Sequence, residues 1–540
     1  MKITIGTRGS DLALWQAHFV RDRLVAAGCE VEIEVLVTRG DRIDDVPLQN
    51  VEGKAFFTKE IEDALLSGAV DVAVHSHKDL PVESPPGLAV VGVPERAPAA
   101  ERLLVSPDAF DPKGGLLPLR RDARVGTSSP RRQAQLLALR PDLEILDLRG
   151  NVPTRVKKLA DGNYDAILLA AAGLERLGLD VGDLITVDLQ ADLVVPAPGQ
   201  GALAIQVRKE DARTTAVVER VLHDEDTARI VAAERRLLTL AGGGCNLALG
   251  ATVDRVGASG TWRARVFFGP DAETPDRPAR WAEATSEEDP VRAAEAAFER
   301  AKDPTAPRSG PLGNLRIALC GAGAFGSRFA ERLAALGADI VFEEAVRCED
   351  IGTSNLAARV EALGPGDALV VTSRRAAAYL EGIDVPTGVC VAAVGPTTAR
   401  ALHGADIRTD LVGGGGAFDL AGMLELKEGA RVLHPGPEEV LGELDRGLEG
   451  SGAAVEHLPL YRTVQNEDFV RAEGVDVRIF QSPSAVRASL AHEREDASAG
   501  VERIAFGETT LRALEEAGLE GWAPKHGDRE DIVRALFRRA

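Results

Sequence analysis

The pattern of apolar and polar positions predicts two α/β bodies in a chain of 540 residues. The first opens with a strand at 2–5, a helix at 12–26 and a strand at 30–37, each with apolar residues at the spacing that the element requires. The run 70–74 is continuously apolar, as in strands buried within a parallel sheet. Because strands and helices alternate again from 124 to 169, the pattern predicts layered α/β folds with parallel sheets.

A segment rich in proline and glycine at 304–314 is interpreted as a linker, after which the alternation starts again. In the first body the chain crosses between two strand–helix sets near 95–102 and returns near 194–207, which predicts two lobes around a ligand-binding cleft. The predicted division is a first lobe at 1–97 with 195–210, a second lobe at 98–194, a small α/β domain with a cysteine loop at 211–303, and a second body at 315–540.

Composition narrows the classes of function. The net charge of −21 and the aromatic content of 4% argue against a general nucleic-acid binder, which needs a basic surface or stacking platforms. The five cysteines form no CxxC pair, so we expect neither a disulfide framework nor a zinc site. No signal-peptide pattern opens the sequence, and no apolar run approaches the ~20 residues that span a bilayer. We therefore expect a cytoplasmic monomer with no membrane or nucleic-acid partner.

A glycine-rich loop presents one of the cysteines. Gly242, Gly243 and Gly244 end an amphipathic helix predicted at 226–240, because glycine takes left-handed backbone angles without steric cost, and Cys245 follows them. Exposed backbone N–H groups help to stabilise a thiolate. Such a thiol serves as a nucleophile, a metal ligand or a permanent attachment point, whereas a cysteine at a helix end is also simply a small apolar residue. The loop by itself leaves these alternatives open.

Three loops at predicted strand ends combine a helix N-terminus, hydroxyl groups and arginine, a combination that suits oxyanions. These loops contain Arg8 and Ser10; Thr127, Ser128, Arg131 and Arg132; and Arg149, Thr154 and Arg155. Thr154 is the expected N-cap of the helix that follows the third of these loops. A single arginine at a strand end is usually a surface ion pair, but three such loops in one body predict a cleft for a polyanion.

A carboxylate follows the buried strand at 70–74, within the sequence His75-Ser76-His77-Lys78-Asp79. The two histidines lack a further ligand at suitable spacing, so we predict no metal site. At the mouth of a cleft, Asp79 is suited to stabilise a developing cation or to transfer a proton, and capping the following turn is its alternative role.

Residues 1 to about 303 closely resemble porphobilinogen deaminase (hydroxymethylbilane synthase). The resemblance rests on motifs in order along the chain: Gly6-Thr7-Arg8-Gly9-Ser10, His75-Ser76 with Lys78-Asp79, Gly126-Thr127-Ser128-Ser129 with Arg131-Arg132, Leu148-Arg149-Gly150-Asn151 with Arg155, Ala172-Gly173-Leu174 with Arg176, Pro198-Gly199-Gln200-Gly201, Ala233-Glu234-Arg235 and Gly243-Gly244-Cys245. His77 and Pro130 stand where apolar residues are expected, and neither carries chemistry.

The resemblance implies that Cys245 holds a dipyrromethane cofactor by a thioether bond. Four porphobilinogen molecules are then added in turn with loss of ammonia, and the linear tetrapyrrole is released by hydrolysis. Asp79 is implied as the catalytic carboxylate, which stabilises a cationic azafulvene and handles the pyrrole protons. The residues implied to bind the cofactor are Cys245, Arg131, Arg132, Lys78, Asp79, Ser128 and Thr127. Those implied to bind the substrate carboxylates are Arg8, Ser10, Arg149, Arg155, Arg176 and Gln200.

The second body carries two patterns. Between a predicted strand and helix, Gly321, Gly323 and Gly326 form a GxGxxG sequence, and Glu343 and Glu344 end the next strand, as in dinucleotide-binding folds. The body is also similar to uroporphyrinogen-III synthase over about 315–540. That similarity rests on Val370-Val371-Thr372-Ser373, Gly395-Pro396-Thr397-Thr398, Leu458-Pro459-Leu460-Tyr461, Phe480-Gln481-Ser482-Pro483-Ser484 and Phe506-Gly507-Glu508-Thr509-Thr510.

The second resemblance implies two lobes, one at 315–345 with 468–540 and the other at 348–460. Tyr461 is implied to assist loss of the terminal hydroxyl as water before ring closure. The hydroxyls implied to hold substrate carboxylates are those of Ser373, Thr398, Ser482, Ser484, Thr509 and Thr510, although a helix N-cap is the commoner role for any one of them.

The sequence thus predicts a bifunctional enzyme that converts porphobilinogen to uroporphyrinogen III. Two alternatives stay open. The first body also suits a periplasmic-type two-lobed binding protein, against which the absent signal peptide and the cysteine loop weigh. The second body also suits a nucleotide-dependent oxidoreductase or a degenerate regulatory lobe.

Overall fold

The computed structural model describes the chain except for residues 39–57, 115–116, 244–246, 257–259, 271–278, 304–308, 323–326, 353–354, 415, 441, 491–499, 525–528 and 540. Contacts divide the chain into two compact units. One comprises Met1–Asn314, Arg332–Ala338 and Arg534–Ala540, and the other comprises Leu315–Glu331 and Asp339–Val533. None of the described helices has the length and apolar character that crossing a membrane requires.

The described part of the chain before residue 304 contains three sheets with helices packed on them. Its strands are β1 (Lys2–Arg8), β2 (Glu30–Leu36), β3 (Val72–Ser76), β4 (Leu88–Gly92), β5 (Glu101–Val105), β6 (Arg124–Gly126), β7 (Glu144–Leu146), β8 (Ala166–Ala170), β9 (Ile185–Leu189), β10 (Leu203–Arg208), β11 (Leu249–Val256), β12 (Thr261–Phe268) and β13 (Arg280–Ser286). Its helices are α1 (Asp11–Ala26), α2 (Lys59–Ser67), α3 (Pro130–Leu139), α4 (Val152–Ala160), α5 (Ala171–Leu177), α6 (Ala212–Leu222), α7 (Glu225–Leu240) and α8 (Pro290–Lys302).

The first two sheets are mixed and share one design. Their strand orders are β2-β1-β3-β10-β4 and β7-β6-β8-β5-β9. In each sheet three strands pair in parallel, whereas the strands that arrive from the other sheet, β10 and β5, pair antiparallel with their neighbours. This confirms the α/β class and the buried parallel strands. The third sheet, β11-β12-β13, is an antiparallel meander that buries its apolar face against α7 and α8.

Two chain segments cross between the first two sheets and are bonded to each other. The Ala97 N–H donates to the Gly201 carbonyl at 3.2 Å, and the Arg96 Nε donates to the Gln200 carbonyl at 2.7 Å. The Gln200 side chain returns a bond to the Ala99 carbonyl at 2.8 Å. Gly201 has a φ of +83°, and a Cβ there would lie 2.4 Å from the Ala97 oxygen, so only glycine fits. These paired crossovers hold the cavity-facing strand ends together.

Beyond residue 315 the chain forms two parallel-rich sheets. The strands are β14 (Arg316–Cys320), β15 (Asp339–Glu343), β16 (Val346–Asp350), β17 (Ala368–Val371), β18 (Cys390–Ala393), β19 (Leu411–Val412), β20 (Arg431–Pro437), β21 (Ala454–Gln465), β22 (Val477–Phe480) and β23 (Glu502–Ala505). The helices are α9 (Ser327–Ala335), α10 (Leu356–Glu361), α11 (Arg374–Ala378), α12 (Pro396–Gly404), α13 (Ala417–Gly422), α14 (Glu443–Gly447), α15 (Pro483–Leu490), α16 (Glu508–Glu516) and α17 (Arg529–Arg539). The sheet orders are β15-β14-β22-β23 and β16-β21-β20-β17-β18-β19.

Candidate active sites

Four cationic side chains line an open cavity between the first two sheets. Lys78, which follows β3, meets Arg132, Arg155 and Arg176 from α3, α4 and α5 around a volume of about 530 Å³. The elements that carry these residues begin at the carboxyl ends of parallel strands, where open α/β sheets bind ligands. The cavity is therefore suited to ligands with several carboxylates.

One buried carboxylate, that of Glu101, holds two of the arginines. Arg131 Nη2 lies 2.6 Å from Glu101 Oε1, and Arg132 reaches both carboxylate oxygens at 3.1 and 2.7 Å. Burial alone raises the pKa of Glu101, but the guanidinium groups of Arg132 and Arg131 outweigh it and hold that pKa at about 2. Arg131 also donates to the Val195 carbonyl at 2.7 Å. Two guanidiniums share one carboxylate, so the base of the cavity keeps net positive charge.

The other cations have pKa values lowered by burial. The pKa of Lys78 falls to about 8, and its Nζ donates to Gln200 Oε1 at 3.1 Å. The pKa of Arg155 falls to about 10, through burial and then through the charge of Arg132. The pKa of Arg176 also falls to about 10 through burial. A carboxylate that binds beside these cations stabilises their charged forms and raises their pKa values again. These groups therefore favour anionic ligands.

Asp79 is the exposed last residue of a single turn, His77–Asp79, and it follows Lys78 of the cavity lining. The negative charge of Asp79 acts on Lys78 beside it and on Arg155 across the cavity. This charge raises the pKa of both cations and so offsets part of the lowering by burial. Arg235 on α7 fixes the turn, since it donates to the carbonyls of His77 at 3.0 Å and Leu80 at 3.3 Å. Helix α7, which leads to the cysteine loop, is thus hydrogen-bonded to the backbone before and after Asp79.

Cys245 lies outside the described residues, and the approach to it is described as far as Gly243. Helix α7 ends with Gly242 and Gly243 at φ values of +89° and +66°, and the Gly243 N–H donates to the Leu238 carbonyl at 2.8 Å. A Cβ at Gly243 would lie 3.7 Å from Val82, three residues after Asp79. Gly242 and Gly243 therefore end the helix as predicted, and Gly243 lies beside the segment that follows the Asp79 turn, whereas Gly244 lies outside the described residues.

Several predicted site residues lie away from the cavity lining. Ser10 caps α1 by accepting from the Ala13 N–H at 3.4 Å. Ser128 exchanges two hydrogen bonds with the Leu148 backbone, at 3.1 and 2.9 Å. The remaining residues are the buried Thr127 and the half-buried Arg8 and Arg149. The cap of α4 is Asn151, which accepts from the Thr154 N–H at 2.9 Å, so the prediction of Thr154 as the cap was wrong.

His75 and His77 are both buried, and burial lowers their pKa values to about 4 and about 3. Both imidazoles are therefore neutral at physiological pH. Across the described residues, no group of three or more histidine, cysteine, aspartate and glutamate side chains is placed to hold a metal ion.

Sequence reasoning missed Glu234, although it lies in a quoted motif. Its fully buried carboxylate accepts from Arg96 Nη1 and Nη2 at 2.7 and 2.9 Å, from the Gly199 N–H at 2.7 Å and from the Val253 N–H at 3.0 Å. These partners come from both crossovers and from the meander sheet. The signal in the sequence that could have identified Glu234 is that an ionisable residue lies on the buried face of helix α7.

Glu234→Gln is expected to destabilise the first unit by about 3–5 kcal/mol, because an amide directs N–H groups at donors and leaves Arg96 without its counter-charge. Urea unfolding followed by tryptophan fluorescence measures this in a Trp522→Phe background, where the remaining tryptophans, Trp15, Trp262 and Trp281, all precede residue 304. The matched control is Glu295→Gln, which removes an exposed pair with Arg236 and should cost about 0–1 kcal/mol. Equal midpoints for the two variants would contradict the role of Glu234.

In the second unit, Tyr461 and Ser373 meet at the carboxyl end of β17. Tyr461 Oη lies 3.0 Å from Ser373 Oγ, and Ser373 caps α11 by accepting from the Ala376 N–H at 3.0 Å. Tyr461 is buried, and burial raises the pKa of its phenol, which therefore stays protonated at neutral pH. Tyr379 stacks on its ring at 6.3 Å, with the Arg375 guanidinium 5.3 Å from the ring centre.

The other predicted hydroxyls lie at helix N-termini that follow parallel strands. Ser482 caps α15, accepting from the Ala485 N–H at 3.2 Å, and Ser484 lies within the first turn of that helix. Thr398 lies in the first turn of α12, and Thr509 and Thr510 lie in the first turn of α16. The capping role is thus observed for Ser373 and Ser482, and each helix start also presents backbone N–H groups.

Gly321 and Glu343 of the dinucleotide pattern have a packing explanation, whereas Gly323 and Gly326 lie outside the described residues. A Cβ at Gly321 would lie 1.9 Å from Gln481 Oε1, so this glycine makes room for a side chain of the protein. Glu343 is buried and accepts from Cys320 Sγ at 2.7 Å and from the Ala472 N–H at 2.9 Å, with Arg478 Nη2 3.2 Å away. Its carboxylate is used internally and is not presented to a ribose. The oxidoreductase alternative is not favoured.

The mixed sheets and the basic cavity define the first unit as an α/β enzyme suited to polycarboxylate ligands. Residues 3–216 match the family "Porphobilinogen deaminase, dipyromethane cofactor binding domain", and residues 327–534 match the family "Uroporphyrinogen-III synthase HemD". The porphobilinogen deaminase of Trichlorobacter lovleyi is 47% identical over 252 residues, which are 46% of this chain and 78% of that protein. That of Oceanobacillus iheyensis is 47% identical over 251 residues, 46% of this chain and 79% of that protein.

Among solved structures, a uroporphyrinogen III synthase from Thermus thermophilus is similar, with 21% identity and a TM-score of 0.32 over 42% of this chain and 100% of that one. The chain belongs to the porphobilinogen deaminase family and continues into a uroporphyrinogen-III synthase domain. It is a bifunctional enzyme of tetrapyrrole biosynthesis that uses a dipyrromethane cofactor, as predicted from the sequence.

Proposed function

We propose that the cavity of Lys78, Arg132, Arg155 and Arg176 is the deaminase active site and that Asp79 is its catalytic carboxylate. The observation that carries this proposal is the position of Asp79, on a turn that α7 holds directly beside the approach to Cys245. Loss of ammonia from porphobilinogen leaves positive charge on the pyrrole methylene group. A carboxylate next to Lys78 of the cavity lining stabilises that charge and accepts pyrrole protons.

The residues of the cavity fit a dipyrromethane and an incoming pyrrole unit, since the four cations that line the wall are suited to their acetate and propionate groups. When bound, this group supplies the primer to which substrate units are joined. Cys245 is the proposed attachment point, Arg132 and Lys78 hold the carboxylates nearest the turn, and Arg155 and Arg176 bind those of the incoming unit. Arg131 donates to Glu101 and Val195, and the Glu101 carboxylate that it shares holds Arg132 in place.

For the second activity we assign Tyr461 as the residue that assists departure of the terminal hydroxyl. Its protonated phenol donates a hydrogen bond, and Ser373 orients it at 3.0 Å. The N–H groups and hydroxyls at the starts of α12, α15 and α16 are proposed to bind substrate carboxylates. Thr398, Ser482, Ser484, Thr509 and Thr510 supply these hydroxyls.

The proposed organisation follows the predicted division of the chain, with deaminase lobes at 1–97 plus 195–210 and at 98–194, a cofactor-bearing domain at 211–303, and synthase lobes at 315–345 plus 468–540 and at 348–460. The linker at 304–314 joins the two enzymes. We further propose that the protein works as a cytoplasmic monomer on the small molecules porphobilinogen and hydroxymethylbilane, without nucleic-acid or membrane partners.

Product analysis tests this function. The full chain supplied with porphobilinogen alone is expected to yield uroporphyrinogen III, which chromatography of the oxidised porphyrins separates from isomer I. Tyr461→Phe should shift the product towards isomer I, because unassisted closure does not invert the last ring. The matched control is Tyr379→Phe, which keeps the stacked ring and removes a hydroxyl directed at Asp350. Isomer I alone from the unaltered chain would contradict the synthase function, and isomer III at an unchanged rate from Tyr461→Phe would contradict the role of Tyr461.

A further inference from the structure

A line of four polar side chains leads from the carboxyl end of β17 to the protein surface. Thr372 Oγ1 lies 2.8 Å from His434 Nε2, and His434 Nδ1 lies 2.8 Å from His457 Nδ1. His457 Nε2 lies 3.0 and 2.9 Å from the two carboxylate oxygens of Asp445. The histidines are register partners on β20 and β21, and Asp445 lies on α14. The proposed function uses none of these four residues.

One set of hydrogen-bond directions is consistent along the whole line. Partial burial raises the pKa of Asp445, but hydrogen bonding from His457 outweighs it and lowers that pKa, so the carboxylate accepts and His457 Nε2 carries a proton. Burial and the neighbouring imidazole lower the pKa of His434 to about 4, so His434 is neutral. In this set of directions His434 Nδ1 donates to His457 Nδ1. His434 Nε2 is then an acceptor, and the Thr372 hydroxyl donates to it.

The two ends of the line differ in exposure. His434 is buried at 5% exposure, whereas the side chains of His457 and Asp445 are 28% and 45% exposed. At the inner end Thr372 is next in sequence to Ser373, the partner of Tyr461. The line therefore connects the neighbourhood of the proposed synthase site to solvent through one buried imidazole.

We propose that Thr372, His434, His457 and Asp445 form a proton relay for ring closure in the synthase reaction. This inference rests on the proposed synthase function. Closure with inversion of the last ring breaks the C–C bond that joins this ring to the chain and one C–H bond of the ring, and it forms two new C–C bonds. The released proton passes to Thr372 Oγ1. The hydroxyl proton of Thr372 moves to His434 Nε2, the His434 Nδ1 proton moves to His457 Nδ1, and the His457 Nε2 proton moves to Asp445.

Transfer in the opposite direction restores the starting state. Departure of the terminal hydroxyl as water consumes one proton, and the next substrate takes it from Thr372 while Tyr461 holds the leaving oxygen. One proton is consumed and one is released in each reaction, and the exposed Asp445 exchanges this proton with solvent between turnovers. Thr372 is the member that contacts substrate, and the other three act through it.

Chemical rescue distinguishes a relay from a structural hydrogen-bond network. In the full chain assayed with hydroxymethylbilane, His457→Ala is expected to lower kcat for isomer III by about 10–100-fold and to leave KM within about twofold. Added imidazole should restore several-fold of the lost rate, because His457 is accessible to solvent. Thr372→Val should lose activity that imidazole does not restore, whereas Thr372→Ser should retain it.

The matched control is His403→Ala, an exposed histidine on α12, which should neither lower kcat nor respond to imidazole. Asp445→Asn, a change at an exposed carboxylate, tests the relay if His457→Ala does not fold. Its amide N–H faces His457 Nε2 and reverses the tautomers, so kcat should again fall. An unchanged kcat in His457→Ala, or a loss in folded His457→Ala that imidazole fails to restore, would overturn the relay, as would an unchanged kcat in Asp445→Asn. Isomer I from the unaltered chain would instead overturn the synthase function itself.

Discussion

Asp79→Asn is expected to lower deaminase turnover by about 10²–10⁴-fold, the range that positioned proton-transfer and charge-stabilising groups supply. The amide keeps the shape of the carboxylate but carries no charge to oppose the cation left by loss of ammonia. Since Asp79 is exposed on a turn held by Arg235, the substitution should leave the fold intact. Porphobilinogen consumption under saturating substrate measures the effect.

The control for Asp79→Asn is Asp161→Asn. Asp161 is also an exposed aspartate of the first unit, paired with Lys157 at 2.9 Å on the surface of α4. Its loss should change turnover by less than about twofold, because exposed pairs contribute little. Turnover of Asp79→Asn within the same margin would remove Asp79 from the catalytic role. A fall in its melting temperature that is absent from the control would make its role structural.

Cys245→Ser is expected to abolish deaminase activity, because an alcohol is not ionised at neutral pH and does not replace a thiolate as the attachment nucleophile. Intact-mass measurement reports the cause directly. The unaltered chain should be heavier than its sequence mass by one dipyrromethane, and the variant should match the bare chain.

Cys29→Ser is the matched control for Cys245→Ser. Cys29 is a partly buried free thiol of the same unit, and its replacement should keep both the added mass and the activity. An unaltered chain with the mass of the bare polypeptide would refute covalent attachment. Added mass retained in Cys245→Ser would assign the attachment to another residue.

Local signals predicted the elements and the cavity well. The helix predicted at 226–240 is Glu225–Leu240 in the structure, because Asp224 caps it by accepting from the Thr227 N–H at 2.8 Å. The arginine loops lie at strand ends because each begins a helix after a parallel strand. Of the arginines in these loops, Arg132 and Arg155 line the cavity, whereas Arg8 and Arg149 lie away from its lining.

The internal partners of those charges could not be predicted. Glu101 is the first residue of strand β5, and its pairing with Arg131 and Arg132 depends on how two elements about 30 residues apart pack. Glu234 has partners 138, 35 and 19 residues away. The pair of His434 and His457 exists only in the observed register of β20 and β21, since a shift by one residue would turn one ring to the other face.

The paired crossovers limit how the deaminase cavity can open. Both covalent links between the two sheets pass through the same few residues and are bonded to each other, so the sheets cannot slide apart independently. We expect any movement between the sheets to be a rotation about an axis near Ala97 and Gly201. Glu234 bonds α7 to both crossovers through Arg96 and Gly199. The middle of α7 therefore stays near this axis, where displacement is smallest, while the arginine-bearing wall of the cavity moves further.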